Sequence, residues 1–545
     1  MAYTYGGLKD DEIRLVRLLP GSWNDKIHCE VFKTTLSSKS QYQALSYVWG
    51  SRNVKRTVWL NGQKHATTVN LECALRHPRL MYPGLVCWIE ALCINQANTL
   101  ERTHQVQIMA QIYDGSGEVL VYLGDSLGRK SKILVEPPIV VFGENLGDIS
   151  DSMECIGRFS YRDPEDSTRK DSLLDVYIVF CFIHALWDMH RLKTSPLFSR
   201  ATPGIELEKY LRQFMHTPWT PWWSRVWVVQ EVAIPLRVTV LYGTVSTPWE
   251  MFDTAAKRYT DHISSCCSEL QSSLSRDLIS VLDDFSRSTL SIAGLRNASA
   301  QTETTNSTLL LLLRKFWNRK ASDPRDKVYA LLSLAHSSGQ TLEITPDYSK
   351  SEVEVFTQAT LECIYSSKSL HVFNTELVRK FWKDLPTWVP DWDAPGNYVD
   401  NNRFAASALY TACRSEQIDM NKLRELRHWN RFIVKGMYIT RVEQVHEVMW
   451  GDSVETSRDT LKSWGHMIHI NLQKSLRTVW RTLCADVMVS MEKRGTKTQT
   501  VFRRAKDDDE LKFAAWALHS KRSPTDVVRG DKIMPRDWRD INIRA

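Results

Sequence analysis

Residues 42–50 read YQALSYVWG, a nearly unbroken apolar run that stops at a glycine. A run of that length bounded by a turn residue suits a strand buried on both faces. Such strands belong to parallel sheets covered by helices. The neighbouring chain agrees. Residues 85–89 form a second short apolar run, and residues 118–123 a third, ending at Gly124. Between them, residues 103–113 carry Val106, Met109, Ala110 and Tyr113 at helical spacing. Alternating strand and helix predicts an α/β domain with a parallel sheet. Upstream, residues 12–19 and 27–32 alternate apolar and polar as strands do, and residues 58–60 followed by Asn61-Gly62 predict a hairpin. Asn70 is the expected cap of a helix running to Pro78.

Further along, residues 173–187 predict one apolar helix inside an otherwise irregular stretch, read as an insertion at about 125–217. Residues 222–234 predict a short helix, and 237–242 a strand. From about residue 250 helical periodicity dominates, over 277–285, 308–317, 327–334 and 351–365. The expected organisation is an α/β domain over 1–245, a mainly helical region over 246–489 and a charged, divergent tail over 490–545. Within the tail, residues 490–510 are expected to form an exposed loop or linker.

Composition excludes several functions. Seventy basic residues against 63 acidic ones leave a net charge of +7, but the two signs are interspersed, with no basic stripe for a nucleic acid. Eleven cysteines lie scattered, without a CxxC pair or histidines at ligand spacing, so neither a disulfide framework nor a metal site is expected. No basic segment followed by an apolar core opens the chain, and no apolar run nears the roughly 20 residues that cross a bilayer. The expected setting is the cytoplasm, without a membrane span.

Three motifs stand at expected sheet edges or helix faces. The first, 42–50, brings Tyr47, Trp49 and Gly50 to the carboxyl end of a buried strand, where open α/β sheets place ligands. The second, CWIEALCINQ over 87–96, sets Glu90 just past a strand and Asn95 in the loop beyond. The third, WWSRVWVVQE over 222–231, contains Arg225, Trp227, Gln230 and Glu231. On one continuous helix Trp223, Trp227 and Glu231 would share a face. An apolar flank perturbs a carboxylate, although a structural Glu231 paired with Arg225 fits the same pattern.

Taken in order, YxALSYVWG, WIxALCINQ, a QV–IM–IY helix, a strand ending in LG, and WSRVWxxQE resemble the fungal heterokaryon-incompatibility (HET) domain. The resemblance covers roughly 12–235. Looser similarity continues in DPRDKVYALLSLA at 323–335, PDYSKS at 346–351 and LPTWVPDW at 385–392. Glu90 departs from the aspartate usual in the second motif, and the glycine-rich stretch expected near the C-terminus is missing.

The HET family is remotely similar to TIR domains, whose Trp-x3-Glu helix corresponds here to Trp227 and Glu231. The resemblance implies a TIR-like (flavodoxin-like) N-terminal domain and a catalytic role for Glu231 in cleaving NAD at its nicotinamide–ribose bond. NAD would be substrate, and no cofactor is implied. One carboxylate suffices for that chemistry. Nicotinamide leaves neutral and unprotonated, so only the cationic sugar needs stabilisation. Tyr47, Trp49, Gly50, Glu90, Asn95, Arg225, Trp227 and Gln230 are the binding candidates. Tyr47 or Trp227 would stack on a base, Gly50 would allow close backbone approach, and Arg225 would pair with the pyrophosphate.

The implied biology is programmed cell death in non-self recognition, with self-association through the domain and an unknown protein partner. The alternative is a non-catalytic scaffold. The region after residue 250 is expected to regulate or position the N-terminal domain.

Overall fold

The computed structural model describes residues 3–38, 40–51, 53–124, 139–142, 172–188, 207–215, 220–264, 274–300, 308–335, 342–374, 381–396, 487–494 and 497–504. The chain divides into two compact units, Met1–Glu362 and Cys363–Ala545. The boundary expected at 245 falls inside the first.

Short links decide how the first strands pair. β1 (Glu12–Leu18) and β2 (His28–Thr35) lie antiparallel, Val16 facing Val31. β3 (Gln43–Ser46) follows. β4 (Lys55–Leu60) and β5 (Gln63–Thr68) form the expected hairpin. Its turn residues, Asn61 and Gly62, have φ of 50° and 77°, the left-handed pair that a two-residue hairpin turn requires. Helix α1 (Val69–Met81) is capped by Thr68, whose hydroxyl accepts from Leu71 N–H. The expected cap, Asn70, instead donates its side-chain amide to the Val48 carbonyl beside Gly50. Tertiary contact outcompeted local capping at this position.

The middle of the chain crosses over repeatedly. β6 (Val86–Trp88), α2 (Glu90–Cys93), α3 (Thr99–Gln107), α4 (Met109–Asp114) and β7 (Glu118–Tyr122) succeed one another. The single helix expected over 103–113 is thus two, broken at Ile108. Within the expected insertion stand β8 (Val140–Val141), α5 (Ser172–Asp188) and α6 (Leu207–Met215). Then come a 3-10 turn at Pro221–Ser224, α7 (Val228–Ala233), β9 (Val238–Tyr242) and β10 (Val245–Pro248).

One ten-stranded mixed sheet results, ordered β5-β4-β2-β1-β6-β3-β7-β9-β10-β8. Its centre, β6-β3-β7-β9, is parallel throughout. The flanks are mixed: β1–β2, β1–β6, β4–β5 and β9–β10 are antiparallel, while β2–β4 and β8–β10 are parallel. Among the parallel strands the chain starts at β3, steps to β6 on one side, then moves to β7 and β9 on the other. The β3/β7 junction is therefore a topological switch point, the place where open α/β sheets commonly bind ligands.

Helices follow: α8 (Trp249–Ser264), which the periodicity did not show, then α9 (Arg276–Ala300), longer than the expected 277–285, α10 (Leu309–Lys315), α11 (Asp326–Leu332) and α12 (Glu352–Ser367). An aromatic cluster joins this layer to the insertion. Trp249 stacks on Phe252 at 5.9 Å, and Phe252 meets Phe180 and Phe214 at 6.0 and 5.9 Å. Such rings bury large apolar areas.

In the second unit Leu385, Val389 and Trp392 are buried around Asp391, which accepts the Phe381 N–H at 2.5 Å. β11 (Val487–Arg494) and β12 (Lys497–Arg504) pair antiparallel, where a loop was expected. Val489 and Phe502 are partners in the register of this pair. The rest of the expected helical region and tail lies outside the described residues.

Candidate functional site

Glu231 sits in the middle of α7 and is only 3% exposed. Its Oε2 accepts a hydrogen bond from Ser46, the last residue of β3 at the switch point. Ser46 Oγ in turn accepts the indole N–H of Trp222 at 2.8 Å. The acid is thus tied to the strand end by neutral donors. Arg225 lies close enough to favour its charged form, yet donates to the Tyr47 carbonyl rather than to a carboxylate. Burial raises the Glu231 carboxyl, and the neighbouring Glu90 adds to it. Together they outweigh Arg225 and Ser46 and push it to about 7.

Glu90 opens α2 just past β6, and its Oε2 accepts the Trp49 indole N–H at 3.1 Å. Burial raises this carboxyl too, opposed by Arg225, the Trp49 bond and Arg102. Two acids therefore share one guanidinium, which penalises charging both. Tyr47 is buried beside them. Burial, then Glu90, holds its phenol well above the usual range, and among the described residues nothing hydrogen-bonds its hydroxyl.

The third motif is not the single helix expected over 222–234. Residues Pro221–Ser224 form a 3-10 turn, and Arg225 is extended at φ −76°, ψ 143°. The cause is a bridge to a distant strand-like segment. Val226 N–H donates to the Lys320 carbonyl at 2.9 Å, and Lys320 N–H to the Ser224 carbonyl at 2.5 Å. These replace helical bonds at equal number. Trp227 and Glu231 keep helical spacing, with Glu231 N–H bonded to the Trp227 carbonyl at 3.2 Å. Trp223 leaves the expected stripe and joins the aromatic cluster, 5.7 Å from Phe214.

The remaining candidates separate. Gly50, at φ +74°, permits a turn that a Cβ would crowd, since one there would meet Asn70 at 3.0 Å. Gln230 is buried, its side-chain oxygen accepting from Ser333 at 3.1 Å. Asn95 completes a loop, its backbone N–H bonded to Glu101 at 2.7 Å and its side chain accepting from Ala97. The contacts on Asn95 thus tie it to the Glu101 loop and not to Glu231.

Ser46, Trp222 and Asp326 were missed by sequence reasoning. Asp326 begins α11 and is nearly buried. It accepts from Tyr348 Oη at 2.6 Å. Burial lifts its carboxyl, against Tyr348 and the nearby Trp227 side chain, to about 6. The available signal was an aspartate heading the apolar run KVYALL. Among the described residues, no group of three histidine, cysteine, aspartate or glutamate side chains is placed to hold a metal ion.

Residues 42–231 match the family model Heterokaryon incompatibility protein (HET). The HET match begins at the tyrosine opening the first motif and ends at Glu231. A curated relative is similar as well: "Heterokaryon incompatibility protein 6, OR allele" of Neurospora crassa is 25% identical over 428 residues. That alignment covers 70% of this chain and 58% of the relative, so the chain spans somewhat over half of the relative's length. Both findings support the HET family. No solved structure matches the chain. No helix among the described residues is long and apolar enough to cross a membrane.

Proposed function

We propose that this chain is a heterokaryon-incompatibility effector that triggers programmed cell death on non-self recognition, acting in the cytoplasm by cleaving NAD. In this reading the domain is TIR-like. Its parallel strands in chain order first, second, third and fourth stand 2-1-3-4, the beginning of the flavodoxin-like order. The observation that carries the reading is the Glu231 carboxylate, buried at the carboxyl edge of β3 and bonded by a hydroxyl instead of a cation.

The chemistry follows from that placement. The bond between the nicotinamide nitrogen and the ribose anomeric carbon breaks, and nicotinamide keeps the electron pair. Positive charge grows on the sugar, and the Glu231 carboxylate stabilises it. Water adds to the anomeric carbon and loses a proton, giving ADP-ribose. With its carboxyl at about 7, Glu231 also accepts that proton near neutrality. Tyr47 offers an unused hydroxyl to the ribose, Trp49 and Trp227 offer rings, and Arg225 offers positive charge to the pyrophosphate. Self-association and an unidentified protein partner would govern when the site acts.

One observation favours the scaffold alternative: Ser46, itself held by the Trp222 indole, already occupies one oxygen of the Glu231 carboxylate. The two readings separate directly. The whole chain is incubated with NAD and nicotinamide is measured, beside Glu231→Gln. Loss of nicotinamide release and of cell killing in the variant supports the enzyme. Killing that persists at equal expression sinks it and leaves the scaffold.

A further inference from the structure

Residues 222–226 reach the end of β3 with two side chains. Trp222 donates its indole N–H to Ser46 Oγ at 2.8 Å, and Arg225 donates to the Tyr47 carbonyl. An indole can only donate, and a serine hydroxyl has one hydrogen. With Trp222 on its oxygen, Ser46 keeps that hydrogen for Glu231 Oε2. The direction of the Ser46 bond is therefore set by where the Trp222 indole lies.

What fixes this turn comes from well beyond the end of the HET match at Glu231. Lys320 supplies both backbone bonds of the bridge to Ser224 and Val226. One residue earlier, Arg319 Nη1 donates to the Trp223 and Arg225 carbonyls, both at 3.1 Å. The bridge is backbone, but the two carbonyl bonds need a long side chain with a donor at its tip. Arg319 is 8% exposed, and its guanidinium lies 5.5 Å from the centre of the Phe316 ring. Among the described residues it pairs with no carboxylate, and burial lowers its guanidinium to about 10. A buried charge without a counter-ion destabilises a fold, and an apolar side chain of that length would not. The distinct contribution of the arginine is the pair of carbonyls that it fixes.

We infer that Arg319 is a positioning residue: by holding the turn at Trp223 and Arg225 it keeps the Trp222 indole on Ser46, which directs the Ser46 hydrogen to the Glu231 carboxylate. The inference rests on the proposed function only in taking Glu231 as the acting acid. Its readouts need no NAD.

The test uses the full chain and the infrared carboxyl band of Glu231, assigned with Glu231→Gln and followed against pH. Arg319→Met keeps the apolar stem and removes the donor. The Ser46 bond favours the charged carboxylate, so loosening it raises the titration midpoint. The rise should be roughly 0.5 to 1 pH unit, about what one hydrogen bond is worth. Trp222→Phe, which keeps a ring and removes the N–H, should raise the midpoint similarly. The two shifts should not add: the double variant should titrate like Trp222→Phe alone. In a chain labelled on its indole nitrogens, the Trp222 resonance, assigned by its absence in Trp222→Phe, should move in Arg319→Met.

A folded Arg319→Met chain whose Glu231 midpoint or Trp222 resonance stays in place overturns the inference. Shifts that add in full in the double variant overturn it as well. Should Arg319→Met fail to fold, Arg319→Gln, with a neutral donor on a shorter stem, decides by the same two signals. A midpoint that moves as expected while the wild-type chain releases no nicotinamide supports the positioning role and sinks the NAD reading alone.

Discussion

Two glutamates, one on α3 and one on α7, are held in opposite ways. Glu101 on α3 faces Arg14 of β1 across a bidentate pair, with Oε1 at 2.6 Å and Oε2 at 3.1 Å from the guanidinium. Its Oε1 also accepts the Asn95 N–H. Burial would raise this carboxyl, but Arg14 and Asn95 outweigh it and hold it below the usual range. Glu231 has a cation nearby as well, yet Arg225 points its donor at a carbonyl and leaves the acid to Ser46. Burial then wins and the carboxyl rises to about 7. The first arrangement satisfies every charge and can do nothing else. The second keeps a buried acid near neutrality at the end of a central strand, which costs stability and is the usual mark of a functional group.

The largest effect should come from breaking the satisfied pair. Glu101→Gln leaves Arg14 charged and buried without its counter-ion, so the chain should lose about 3–5 kcal/mol, read as a fall in unfolding midpoint. Glu231→Gln should act with the opposite sign. A carboxyl raised from 4.5 to about 7 binds more protons folded than unfolded between those values, so the native state weakens as pH rises through that window. At pH 8 the Gln variant should therefore be more stable than wild type by up to about 3 kcal/mol, at 1.36 kcal/mol per pH unit. The gain should vanish below pH 4.5. Glu101 runs the other way: its contribution is present above its ordinary value and is lost as pH falls through its lowered one. Denaturation of both variants across pH 4 to 8 checks the contrast. Equal slopes would erase it.

A smaller change sharpens the comparison. Ser46→Ala strips both the donor to Glu231 and the acceptor of Trp222, which should cost about 1–3 kcal/mol and raise the Glu231 carboxyl further. The shift is measurable as a higher midpoint in the titration of its infrared carboxyl band, assigned with Glu231→Gln. Least affected should be the half-exposed pair of Arg17 with Glu30 at 2.9 Å. Glu30→Gln should change stability by about 0.5 kcal/mol or less.

Much of the fold was legible in the chain. Strands β3, β6 and β7 announce themselves as short apolar runs ended by turn residues, and the Asn61-Gly62 hairpin follows from the left-handed backbone that pair tolerates. The helices after residue 250 show their period. Sheet order was not legible, since no local pattern says that β1 lies beside β6 or that β2 runs parallel to β4. The third motif misled for the same reason. Its residues have helical spacing, but Arg225 takes an extended conformation because Lys320, 95 positions later, offers it a bridge.

The site divides along the same line. The sequence by itself determined which residue types gather: Glu90, Arg225, Trp227 and Glu231 are evident at strand ends or on one helical face. Only the tertiary structure decided who bonds to whom. Ser46 claims Glu231, Trp49 claims Glu90, and Tyr348 claims Asp326. Local spacing governs which face a side chain occupies, because backbone geometry repeats every 2 or 3.6 residues. The protonation of a buried acid depends on donors and charges brought from far along the chain, and no spacing rule carries that information.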